Sequence, residues 1–144
     1  MTLPHTWRPL GVRIMLWVVG TLLIALLVAV WFGLGDDIRS QFTVWQRITL
    51  VLFGVLLFIT YYGLLRCKVV ASAEGLQVVN GYRTRRFEWS QVIGLSMPRG
   101  APWATLDLSS GTTVSVMAVQ GSDGDRARQA ARQLRHLIAT HTPG

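Results

Sequence analysis

The sequence predicts an α+β chain: a two-helix transmembrane hairpin, then a small antiparallel β-barrel or sandwich closed by one amphipathic C-terminal helix. Three observations carry this prediction. Charge is unevenly placed: of 14 Lys+Arg and 7 Asp+Glu in 144 residues, only six (Arg8, Arg13, Asp36, Asp37, Arg39 and Arg47) fall in residues 1–65. Two long uncharged apolar runs occupy that charge-poor half. Beyond residue 66 the apolar periodicity shortens to strand-length runs and switches to helical spacing only at the end. This asymmetry excludes a uniform soluble fold and a disordered chain, and the single cysteine, Cys67, excludes a disulfide scaffold.

Residues 1–13 read as a cytoplasmic tail. Residues 14–34 form a first span of 21 uncharged residues and 48–65 a second of 18. At about 1.5 Å per helical residue they reach roughly 32 and 27 Å, close to a hydrocarbon core of about 30 Å. Glycines and threonines within them are tolerated, because a helix satisfies its own backbone groups in lipid. Trp17, Trp31, Trp45, Tyr61 and Tyr62 stand near the ends, as in the aromatic belt at headgroup level. Two core helices of a soluble protein are the alternative, but the other 79 residues are too few to cover both on every side. A cleaved signal peptide is disfavoured by the length of the first run and by the lack of a small-x-small site or lipobox cysteine after it.

The connection at 35–47 reads as an external loop. It carries Arg39 and Arg47, whereas the other side carries Arg8, Arg13, Arg66 and Lys68 close to the spans and Arg83, Arg85 and Arg86 further on. The positive-inside rule therefore places both termini in the cytoplasm of a multi-pass protein of the inner membrane.

Residues 66–140 read as the soluble domain, with 141–144 as a tail. Strand-like runs occur at 68–72, 76–79, 83–89, 90–97, 103–108 and 112–119, divided by turn signals at 73–75, 80–81, 98–102 and 109–111. Ala104, Leu106 and Leu108 alternate with Thr105 and Asp107, and Val114, Val116 and Ala118 repeat the pattern. One conflict stands out. A two-residue turn at Asn80-Gly81 sets Arg83 opposite Val78 and Arg85 opposite Leu76, on an apolar face, so a longer turn or a bulge is expected there. The last element is a helix at 123–140, with Ala127, Ala130, Ala131, Leu134, Leu137 and Ile138 at i, i+3, i+4 spacing. Ser122 and Asp125 have the spacing of a capping box, and Asp123 and Asp125 suit a positive helix start.

The stretch 81–92 (GYRTRRFEWSQV), with Pro102-Trp103-Ala104 and 111–120 (GTTVSVMAVQ), resembles the strands of bacterial pleckstrin-homology (PH) domains. With the helical hairpin ahead of it, the chain resembles the actinobacterial PH-domain membrane proteins, the set related to low-molecular-weight protein antigen 6. The resemblance covers roughly residues 60–140. It implies a seven-stranded bent barrel with a C-terminal helix, one strand more than the periodicity shows. It implies no catalytic residues and no particular ligand.

Catalytic and metal motifs are absent from the sequence: no GxSxG, Walker A, dinucleotide turn or paired-cysteine spacing occurs. His136 and His141 are five apart rather than four, and read as exposed polar residues at a helix end. Glu74, Glu88 and Asp107 are scattered turn, strand-face or rim residues. Cys67 reads as a small residue packed at the junction rather than a palmitoylation site. The expectation is a non-enzymatic protein with no cofactor and no metal. Its candidate site is the basic cluster Arg66, Lys68, Arg83, Arg85 and Arg86, which would meet anionic lipid headgroups of the inner leaflet. The alternative is an accessory or scaffold subunit of a membrane complex, with Trp103 as an exposed anchor for a protein partner. A nucleic-acid partner is not expected, since the basic residues are not interleaved with aromatics and sit next to the membrane.

Overall fold

A computed structural model describes residues 2–142. Two helices, α1 (Leu10–Gly33) and α3 (Val44–Leu65), are long and apolar enough to cross a membrane. Only 6% of the most apolar stretch of each is buried. Phe32, Trp45 and Phe58 are 71%, 78% and 67% exposed, the reverse of a soluble core helix, whose apolar stripe is covered by its own protein. The connection expected as a loop contains a short helix, α2 (Gly35–Gln41), with Asp36 and Asp37 in its first turn and Asp36 paired to Arg39. Seven polar-rich residues carry too little apolar pattern for a sequence reading to find such a helix. Thr43 and Gln46 then form a reciprocal capping box for α3: Gln46 N–H donates to Thr43 Oγ1 (3.3 Å) and Thr43 N–H to Gln46 Oε1 (2.9 Å).

Among the described residues the domain holds seven strands in two antiparallel sheets. The strands are β1 (His5–Trp7), β2 (Lys68–Ala71), β3 (Gly75–Asn80), β4 (Arg83–Glu88), β5 (Val92–Ser96), β6 (Trp103–Leu108) and β7 (Thr113–Gln120). One sheet has the order β1-β2-β3-β4, the other β5-β6-β7. The strand that the periodicity does not reveal lies ahead of both long helices. The segment expected as a tail pairs with β2, setting His5 opposite Ala71 and Trp7 opposite Val69. A three-residue strand between Pro4 and Pro9 is too short to show period-two alternation, so only its partner reveals it.

The core lies between the sheets and under the helix α4 (Asp125–His141). The alternating residues Ala104, Leu106, Leu108, Val114, Val116 and Ala118 are all buried, as are Ala127, Ala131, Leu134, Leu137 and Ile138 of α4. Asn80 ties the sheets together: its Nδ2 donates to the Ser115 carbonyl and its Oδ1 accepts from Met117 N–H (3.1 Å). The capping box expected from Ser122 and Asp125 is not formed. Gly124, at φ 56°, precedes α4 and gives no side-chain cap. Asp123 caps the other helix instead, accepting from Leu10 N–H (3.1 Å) and Gly11 N–H (2.9 Å). Pro9, at the N-cap of α1, has no polar side chain for that role, so a carboxylate more than a hundred residues away serves the positive helix end. His141 is also not the exposed residue expected: it stacks on the Trp89 ring, centroids 4.4 Å apart. Thr142 then bonds the Val92 carbonyl (2.9 Å), and residues 143–144 of the expected tail lie outside the described residues.

Candidate functional site

The basic hairpin is built by a two-residue turn, not the longer turn or bulge expected, and that turn sits one position beyond the Asn80-Gly81 dipeptide. Asn80 pairs with Arg83, so Gly81 and Tyr82 form the turn, with Gly81 at φ 63°. A glycine with positive φ in the first turn position is what a type II′ hairpin needs. No bulge is present in this ladder. The register sets Arg85 opposite Val78 and Arg86 opposite Gln77. The expected conflict is resolved by position in the sheet rather than by a bulge. β4 is an edge strand that packs mainly on β3, and Arg83 and Arg85 on it are exposed.

Tyr82 anchors this tip on α3. Its hydroxyl donates to the Ile59 carbonyl (2.6 Å), and its ring lies so close to Gly63 that a Cβ there would sit 2.8 Å from it. The Arg66 guanidinium lies 5.3 Å from the Tyr82 centroid and 6.0 Å from that of Tyr62, two cation–π contacts that orient it. Cys67, 1% exposed, accepts from Gly81 N–H (3.3 Å) and directs its thiol toward the Gly63 carbonyl. It is the packed junction residue that the sequence suggests.

The five basic candidates do not form one patch. Strand alternation puts Lys68, Thr84 and Arg86 on one face of the first sheet and Arg83 and Arg85 on the other. Lys68 and Arg66 converge instead with Arg8 and Arg13 in a crevice of about 640 Å³ between that sheet face and helices α1 and α3. Arg8 and Arg13 are absent from the sequence-based site because their place before the first span explains them as orientation signals. Their counterparts Arg66 and Lys68, just after the second span, are the hint that both pairs meet at one level.

Trp103 is half-buried at the start of β6. It lines an open groove of about 1120 Å³ beside α4, with Arg99, Arg128, Arg132 and Arg135. Arg135 is held there by its Nε donating to the Leu95 carbonyl (2.9 Å). The only ion pairs among the described residues are Arg39–Asp36 and Arg128–Asp125. Most of the arginines therefore stand without a carboxylate partner. Glu74, Glu88 and Asp107 stay apart, and no three His, Cys, Asp or Glu gather as a metal-holding group among the described residues.

Comparison with known proteins bears on the same segment. Uncharacterized proteins of Mycobacterium tuberculosis and Mycobacterium bovis are 38% identical to the chain over 94 residues, which is 65% of this sequence. The chain spans 58% of the length of those relatives. No solved structure matches it. The model of the family described as Bacterial PH domain matches residues 66–137, half of the sequence and the part that folds into six of the seven strands and most of the closing helix. The chain belongs to the bacterial PH domain family.

Proposed function

We propose that this chain is a non-enzymatic, multi-pass protein of the inner membrane that presents its PH-like domain at the cytoplasmic leaflet, where the basic hairpin contacts anionic headgroups. The observation that carries this reading is the Tyr82–Ile59 hydrogen bond. Ile59 lies six residues before Leu65, the end of α3, so the hairpin tip reaches about 9 Å along a spanning helix. From Tyr82, at roughly 3.4 Å per strand residue, Arg86 follows at about 14 Å, and Arg83 and Arg85 within about 10 Å. The latter distance is within a Debye length of about 8–10 Å, where each cation contributes about 1 kcal/mol of attraction to an anionic surface. Both termini and the domain are cytoplasmic in this reading, by the balance of Arg8, Arg13, Arg66 and Lys68 over Arg39 and Arg47.

The test uses the full chain in nanodiscs with and without phosphatidylglycerol, reading amide hydrogen exchange of β4. Anionic lipid slows exchange at low salt, and high salt or an Arg83/Arg85/Arg86→Ala variant removes the effect. Equal exchange in all four conditions overturns the headgroup contact. A Ser40→Cys probe that resists impermeant thiol reagent in intact cells, while a C-terminal probe reacts, overturns the orientation.

A second reading has its own support: the groove containing Trp103 and four arginines suits an acidic segment of a partner subunit. Gentle extraction then yields a discrete larger species that Trp103→Ala abolishes. A monomer under every mild condition removes this reading.

A further inference from the structure

We infer that the crevice between α1, α3 and the first sheet is a binding site for a single anionic phospholipid molecule, held with its phosphate among Arg8, Arg13, Arg66 and Lys68. The inference rests on the membrane placement proposed above and goes beyond the hairpin's diffuse contact with the leaflet surface. Three features point to such an occupant.

The first is charge. Four cations line one crevice whose walls include no Asp or Glu, and none of the four forms an ion pair among the described residues. Gathering like charges without a counter-charge is unfavourable, and an anion at their centre relieves it. The second is an unsatisfied group. Arg13 Nε is buried and has no hydrogen-bond partner, an arrangement rare in folded proteins because a buried unpaired donor is costly. The guanidinium fork matches a phosphate, which would accept from it.

The third is the division of the lining. The cations, with Gln77 and Thr84, occupy the domain end, whereas Trp17, Ile24 and Phe58 line the part between the helices. From Arg13 to Ile24 the helix rises about 16 Å, close to the hydrocarbon depth of one leaflet. Inorganic phosphate fills only the cationic end of this crevice, and an uncharged acyl chain only the apolar one. A phospholipid with one chain laid along α1 and α3 meets both. Gly20 lines the crevice beside Tyr61; a Cβ there would meet the Tyr61 ring at an ordinary contact distance of 3.5 Å, so only a longer side chain such as leucine would project into the space of the acyl chain.

The experiment is native mass spectrometry of the full chain, purified in mild detergent, delipidated and titrated with phosphatidylglycerol, phosphatidylcholine or inorganic phosphate. One phosphatidylglycerol binds per chain, in preference to phosphatidylcholine, and excess inorganic phosphate does not displace it. Arg13→Gln with Lys68→Gln weakens retention by about tenfold or more, the scale of losing charge-assisted hydrogen bonds. Gly20→Leu weakens it with every cation in place, and thermal unfolding of each variant separates lost binding from lost fold. Arg83/Arg85/Arg86→Ala leaves retention unchanged while removing the exchange protection of β4, so the two proposals fail separately. Equal binding of phosphatidylcholine, displacement by inorganic phosphate, or unchanged retention in a folded Arg13/Lys68 variant overturns the site.

Discussion

Replacing Trp7 with alanine tests whether the N-terminus is a tail or part of the domain. Trp7 is 7% exposed, sits opposite Val69 in the sheet, and donates from Nε1 to Gln133 Oε1 of α4 (2.9 Å). An aromatic side chain of this size buries about 150–250 Å², and at about 25 cal/mol per Å² that amounts to roughly 4–6 kcal/mol as an upper bound. Measured Trp→Ala losses in cores, about 3–5 kcal/mol, agree. With a domain stability of about 5–15 kcal/mol, such a loss is a large fraction of the whole. For a urea slope of about 1.5 kcal/mol/M, the midpoint falls by about 2 M or more. The assay is urea unfolding of the full chain in detergent, followed by amide exchange of β2 and β3, so that the signal comes from the domain rather than from the long helices. A loss below about 1 kcal/mol, the level of an ordinary surface substitution, refutes the assignment of β1 to the domain. By the same reasoning a fragment of residues 66–144 lacks a strand, leaving the β2 edge open and a face of α4 uncovered.

Three further outcomes follow from the contacts that hold the domain to the helices and the sheets to each other. Asp123→Ala removes the cap of α1 at a cost of about 1–2 kcal/mol; amide exchange at Leu10 and Gly11 accelerates while that of α4, which Asp123 does not cap, changes little. Asn80→Ala leaves the Ser115 carbonyl and Met117 N–H without their partner and costs about 2–3 kcal/mol, read as a lower unfolding midpoint. Gly63→Leu drives the Tyr82 ring off α3 and frees Cys67, so thiol labelling of the native protein, slow in the parent because the sulfur is buried, becomes fast.

The elements with strong internal pattern were legible. The two apolar helices, the β6 and β7 alternation and the apolar stripe of α4 each repeat over enough residues for the period to show. Where local signals competed, the reading slipped. Asn80-Gly81 is a strong turn dipeptide, yet Asn80 is more stable bonded to β7, and the turn moves to Gly81-Tyr82. Asp123 and Asp125 both suit the start of α4, but Asp123 faces the uncapped end of α1, which has no other carboxylate to serve it. The candidate site split for a similar reason. Residues two apart on a strand share a face and neighbours do not, so Arg85 and Arg86 cannot join one patch, whereas Arg13 and Lys68 meet across the chain.

Charge distribution and hydropathy by themselves determined that two apolar helices precede a small basic domain, because both depend on composition and short-range period. Tertiary structure alone decided that the first strand lies ahead of the helices, that the domain is pinned to both of them, and that four separated cations share a crevice. These are facts about which distant surfaces satisfy one another: a strand edge needing a partner, a helix end needing an anion, a tyrosine hydroxyl needing an acceptor. No window of neighbouring residues contains that information.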